Sequence, residues 1–180
     1  MHRRPSFRDR AAALIAAASV ACAALGPAQV TATSPAATMR EIGAGSLHWL
    51  GLHVYDARLA VAGEQFDPAQ PFALTLRYAR ELSGARIAET SIDEIRRLGF
   101  GTPSDHRRWL DEMRRVFPDV RRGDELTGAS APGRGAQFLL NGRSIGSIDE
   151  PAFARAFFAI WLDPRTRSRD LRASLLGGGR

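Results

Sequence analysis

The most restrictive feature of this chain is a strict alternation over residues 72–78. Phe72, Leu74, Leu76 and Tyr78 are large and apolar or aromatic, and Ala73, Thr75 and Arg77 fall between them. A period of two puts the four large side chains on one face of a strand, and that face has to be covered by a second layer. Two further stretches read as sheet. From Leu47 to Val61 the residues Leu47, Trp49, His53, Tyr55, Leu59 and Val61 share a parity, giving one or two strands with Gly51 as a bend or bulge. Phe138-Leu139-Leu140, Asn141-Gly142 and Arg143-Ser144-Ile145 read as a hairpin, because Asn-Gly fills the two positive-φ positions of a type I′ turn at low steric cost. Residues 123–127 read as a turn entering another strand.

The covering layer is also legible. Ser83 is placed to cap a helix with Ile87, Ser91, Ile95 and Leu98 on one face, closed by Gly99. A second helix follows Thr102-Pro103 with Trp109, Met113 and Val116 inward and stops at Phe117-Pro118. A third begins near Asp149-Glu150-Pro151 and carries the stripe Phe153, Phe157, Ile160 and Trp161, which periodicity assigns to the core. Ser168 opens a short last helix with Leu171, Leu175 and Leu176. Strands, two helices, a hairpin and two more helices make an α+β domain, an antiparallel sheet with helices over one face.

Residues 1–32 read as a secretory signal peptide: four arginines by Arg10, an uncharged run from Ala11 to Leu25, and the small residues Val30-Thr31-Ala32 before cleavage. A retained anchor is the alternative, but the apolar run is shorter than the ~20 residues that span a bilayer. The expectation is a periplasmic or secreted protein with no transmembrane span after cleavage. Residues 33–42 read as a linker, 43–177 as one domain and 178–180 as a tail. Cys22 is the only cysteine and lies in the leader, where lipidation is a second alternative; the mature chain has no thiol chemistry or disulfide.

All 25 basic residues are arginine, which excludes Schiff-base lysines and lysine-dependent phosphate loops. Removing the leader leaves 21 arginines against 18 carboxylates, and these are interspersed, so nucleic-acid binding is not expected. His48 and His53 are expected on opposite strand faces, and His106 has no second ligand at a metal-binding spacing. No metal or other cofactor is expected. The paired acids Asp124-Glu125 and Asp149-Glu150 suit turn and cap roles, not acid–base pairs. Gly142-Arg143-Ser144-Ile145-Gly146 has the letters of a nucleophile elbow but sits on a hairpin strand.

Several segments together resemble the bacterial chalcone isomerase-like proteins. They are residues 54–59, residues 72–78, Phe117-Pro118-Asp119-Val120 with Gly123-Asp124, Asn141-Gly142 with Gly146, and residues 153–162 followed by Leu171-Arg172 and Leu175-Leu176-Gly177. The resemblance implies an open-faced β-sandwich, a large antiparallel sheet covered by a helical layer with a ligand cleft between them. In the plant enzymes an arginine, hydroxyl side chains, a tyrosine and an asparagine surround that cleft. The positions matching them here are Leu47, Tyr55, Ile87, Glu94 and Ala159, and only Tyr55 keeps a hydroxyl.

The leading expectation is therefore an exported, non-catalytic binder of a small amphiphilic or anionic molecule in the sheet–helix cleft, with Tyr55, Arg58 and Arg77 as ligand-binding candidates. By parity Arg77 either faces solvent or reaches under the helices. Two other expectations stand beside it. One is an isomerase, an intramolecular lyase of the chalcone isomerase type; the other is a structural subunit of an envelope complex, with Arg58, Arg155 and Arg172 at the interface. The openness of the cleft depends on how Trp49, Phe157 and Trp161 pack.

Overall fold

The structure, a computed structural model, describes residues 39–178. The leader, Cys22 and residues 33–38 lie outside the described residues. Every element described below belongs to the unit Thr33–Arg180. Its strands are β1 (Arg40–Trp49), β2 (Leu52–Val61), β3 (Phe72–Tyr78), β4 (Glu125–Ala131), β5 (Gly135–Leu140) and β6 (Arg143–Ile148). They pair antiparallel in chain order to form one six-stranded sheet. The helices α1 (Gly84–Leu98) and α2 (Pro103–Val116) come between β3 and β4, and α3 (Pro151–Leu162) and α4 (Arg169–Leu175) follow β6. This is the expected α+β layering. β1 begins at Arg40, inside the stretch read as linker.

The alternation of β3 sets the covered face. Phe72, Leu74, Leu76 and Tyr78 are buried together with Leu59, Val61, Leu126, Phe138 and Ile148 of the neighbouring strands, against Ile92 and Ile95 of α1 and Phe153 and Phe157 of α3. The opposite face carries Arg58, Arg77 and Glu125. The Asn141-Gly142 turn forms as expected, with φ of 50° and 78°.

A second two-residue turn joins β1 to β2 at Leu50-Gly51, with φ of 49° and 77°. A leucine disfavours that region, which is why the sequence shows only a bend there. The turn opposes Trp49 to Leu52 and His48 to His53, and the ladder then shifts so that Leu47 opposes Tyr55, leaving Val54 as the extra residue of a bulge. The two histidines therefore share a face, correcting the expectation that they would not; their rings stack at 4.9 Å. The same bulge takes His53 off the buried parity of Tyr55, Leu59 and Val61, whereas Trp49 keeps the parity of Leu47 and is exposed at the turn.

The helix ends follow the sequence with two exceptions. Ser83 accepts from the Arg86 amide, and Thr102 with Asp105 forms a capping box. Ser168 stands at the N-cap of α4, but its side chain makes no cap hydrogen bond. Glu150 at the start of α3 likewise does not cap; its carboxylate instead accepts from Trp109 Nε1 at 2.9 Å and from Arg108.

A Cβ on Gly43 of β1 would overlap the Ser174 and Leu175 carbonyls of α4, so Gly43→Ala should cost ~1–3 kcal/mol, read as a lower urea midpoint at unchanged slope. In the capping box, the Thr102 hydroxyl and amide, with Arg108, hold the Asp105 carboxyl down to about 2. A lowered carboxyl stabilises the fold above its ordinary value of 3.8 and loses that contribution as pH falls through about 2. Asp105→Asn should therefore flatten the acid limb of a stability–pH profile, and Thr102→Ala should cost ~1 kcal/mol at neutral pH.

Candidate functional site

The three ligand-binding candidates do not converge. Tyr55 points from β2 into the sheet–helix layer, whereas Arg58 and Arg77 project from the opposite, uncovered face. Arg58 Nη2 donates to Glu125 Oε1 at 2.8 Å across β3, and Arg77 is exposed. Neither arginine lines the cleft, and the solvent-facing alternative for Arg77 is the observed one. The reason is register: Arg58 opposes Thr75, which opposes Thr127, a row on the face away from the helices.

Of the positions that the resemblance implies, Leu47 lies opposite Tyr55 on β1 and the Glu94 carboxylate of α1 acts on its phenol. Trp161 Nε1 donates to the Tyr55 hydroxyl at 2.9 Å, and the Tyr78 ring meets Tyr55 edge-on at 6.0 Å. Glu94 is held by Arg97 at 2.8 Å and Arg167 at 2.9 Å. Burial pushes the Tyr55 phenol up to about 12, the Trp161 bond opposes that, and the Glu94 charge adds to it. Burial raises Tyr78 further, with Tyr55 adding to the effect. Tyr55 is thus a neutral phenol at physiological pH whose oxygen already holds an indole.

The rest of the layer is filled. Phe157 packs against Phe138 and Trp161 at 5.3 Å, and Phe158 against Phe72 at 4.8 Å, so the stripe is core as periodicity assigned it. Trp49 takes no part, being exposed at the β1–β2 turn.

Open space lies instead at the edge of the layer, where α4 packs on β1. A cavity of about 420 Å³ is lined by Arg40, Ile42, Glu64, Phe66, Arg172 and Leu176, among others. Arg40 Nη2 donates to the Glu64 carbonyl at 2.6 Å and Arg172 Nε to the Leu162 carbonyl at 2.8 Å, leaving other guanidinium donors of both free to take a ligand. Phe66 continues inward to Phe72 at 5.1 Å. Sequence reasoning missed this set because its members come from β1, the β2–β3 loop and α4, and no spacing links them. A second cavity of about 490 Å³ is lined by Glu112, Asp149 and Glu150 with Arg115 and is the more acidic of the two. Among the described residues no cluster of histidines, cysteines and carboxylates could hold a metal, and no helix is long and apolar enough to cross a membrane.

The phenol supplies a pH test. A raised Tyr pKa stabilises the fold fully below the ordinary value of 10.0 and loses that contribution as pH rises through about 12. Tyr55→Phe should reduce the alkaline loss of stability over that interval without abolishing it, because Tyr78 shares it. It should also cost ~1–3 kcal/mol at neutral pH by leaving the Trp161 N–H without a partner. Urea titrations at neutral and alkaline pH check both.

Comparison with known proteins agrees with this geometry. No curated protein sequence matches the chain. Among solved structures it is similar to the crystal structure of the Arabidopsis thaliana fatty-acid binding protein AtFAP1, at 14% identity and a TM-score of 0.62, covering 81% of this chain and 91% of that one. At that identity the likeness is one of fold: an antiparallel sheet with a helical layer. A family model described as chalcone isomerase-like matches residues 49–177, from the β1–β2 turn to the end of α4. The chain belongs to the chalcone isomerase-like family.

Proposed function

We propose that this domain is a non-catalytic binder of a small anionic amphiphile, taken up at the edge of the sheet–helix layer. The observation that carries the reading is the composition of the β1–α4 cavity: two guanidiniums, Arg40 and Arg172, beside the apolar Ile42, Phe66 and Leu176. Guanidinium pairs a carboxylate or phosphate head group through charge-assisted bonds, and the apolar side chains receive a tail. The cavity volume of about 420 Å³ falls in the range of small-molecule sites. The fold shared with a fatty-acid binding protein supports the same ligand class. The state of Tyr55 also supports a binding role, because a phenol raised to about 12 is poorly matched to proton transfer near neutral pH. With the leader read in residues 1–32, the domain would do its work outside the cytoplasm; N-terminal sequencing of the exported protein, expected to begin near Thr33, tests that part.

The binding test is native mass spectrometry of the purified protein with titrated long-chain fatty acids. A stoichiometric complex is expected, weakened at least about tenfold by Arg40→Gln with Arg172→Gln, since a bond to a charged group contributes ~1.5–3 kcal/mol. Arg40→Gln alone removes only an exposed side-chain contact to the Glu64 carbonyl, and an unchanged urea midpoint for this variant separates its loss of affinity from unfolding. No complex across the series, or turnover of a chalcone-type enone that Tyr55→Phe abolishes, would overturn the reading.

A further inference from the structure

The β1–β2 turn is an apolar point with nothing packed on it. Trp49, Leu50 and Leu52 are 62%, 86% and 52% exposed, and Leu50 is held at a positive φ that leucine disfavours. The last tie of this hairpin to β3 is the Ala79 N–H to the Val54 carbonyl, at 2.9 Å. Leu50-Gly51 lies three to four residues further along, so the tip stands ~10 Å beyond the neighbouring strand at ~3.3 Å per residue.

The same end of the sheet gathers arginines. The Tyr78 N–H donates to the Asp124 carbonyl and the Gly123 N–H to the Tyr78 carbonyl, which brings the turn before β4 beside the end of β3. The Asn141 N–H donates to the Glu125 carbonyl, which adds the β5–β6 turn. Arg80, Arg121, Arg122 and Arg143 therefore share the end that carries the tip. All four are exposed, and among the described residues none lies within ion-pair distance of a carboxylate. The carboxylates at this end are mostly engaged: Asp56 with Ser46 and His53, Asp124 with Asn141 and the Arg121 amide, and Glu125 with Arg58. Glu81 is the one left over.

We propose that this end of the sheet docks on an anionic lipid bilayer, with Trp49, Leu50 and Leu52 entering the head-group boundary and the four arginines meeting lipid phosphates. A surface that is apolar beneath and negative on top is the complement of an apolar point flanked by guanidiniums. Tryptophan has its preferred place at that boundary. A protein interface of ordinary size would need some 20–30 residues a side, far more than a convex tip offers.

Trp49 reports on the event itself, since Trp109 and Trp161 are 1% and 7% exposed and Trp49 is the exposed tryptophan. The unit Thr33–Arg180, which holds the whole sheet, its helices and their core, is mixed with phosphatidylcholine vesicles with or without phosphatidylglycerol. The expected result is co-sedimentation with the anionic vesicles, a blue shift of Trp49 emission and its quenching by acyl-brominated lipid. Changing Trp49, Leu50 and Leu52 together to Ser should reduce binding tenfold or more with an unchanged near-ultraviolet contribution from the buried aromatics. Arg121→Glu with Arg122→Glu, or about 0.5 M salt, should reduce it by a similar factor. The proposal is overturned by no sedimentation, by sedimentation indifferent to the tip substitutions, or by a blue shift that grows with protein concentration in the absence of lipid, which would put a second copy on the tip.

Discussion

Phe157 is the contact on which the other elements depend. Its ring touches Phe117 at the end of α2, Phe138 on β5, and Phe153, Phe158 and Trp161 on its own helix, at centroid separations of 5.3 to 5.9 Å. One side chain thereby ties the helical layer to the middle of the sheet. The pairs are mostly edge-to-face or tilted, the arrangement that ring quadrupoles favour. Removing a buried phenylalanine of this kind costs ~3–5 kcal/mol, a large part of the stability of a domain this size.

That packing also decides the chemistry of the layer. With Phe157 in place, Trp161 one turn later meets Tyr55, and the indole N–H takes the phenol oxygen. The hydroxyl that the family resemblance singles out is thus absorbed into the core's hydrogen bonding. Glu94 of α1 is likewise held, by two arginines. The polar groups of the layer satisfy one another, and the accessible cationic and apolar surface is displaced to its margins: the α4–β1 edge and the end of the sheet at the β1–β2 turn.

Much of the architecture could be read directly from residue order. The β3 alternation named the covered face, Asn141-Gly142 named a hairpin, and Ser83, Thr102 and Gly99 marked helix ends where caps form. These signals are local, set by side-chain period, positive φ and backbone hydrogen bonding within a few residues. The Leu50-Gly51 turn is not legible because leucine rarely takes that conformation, and the bulge at Val54 breaks the parity that would set His48 and His53 on opposite faces. Glu150 was read as part of a helix start from its neighbours, yet it serves Trp109, a residue forty-one positions away.

The sequence by itself determined the α+β class, the face each regular strand buries, and the aromatic character of the layer between sheet and helices. Those properties follow from periodicity and composition, which act over short stretches of chain. Only the tertiary structure decided which residues meet. It placed Tyr55 on one side of the sheet and Arg58 and Arg77 on the other, closed Trp161 over the phenol, and assembled Arg40, Phe66 and Arg172 into one cavity. Such meetings depend on strand register, a single bulge and helix docking between residues far apart in the chain, and no local pattern encodes them.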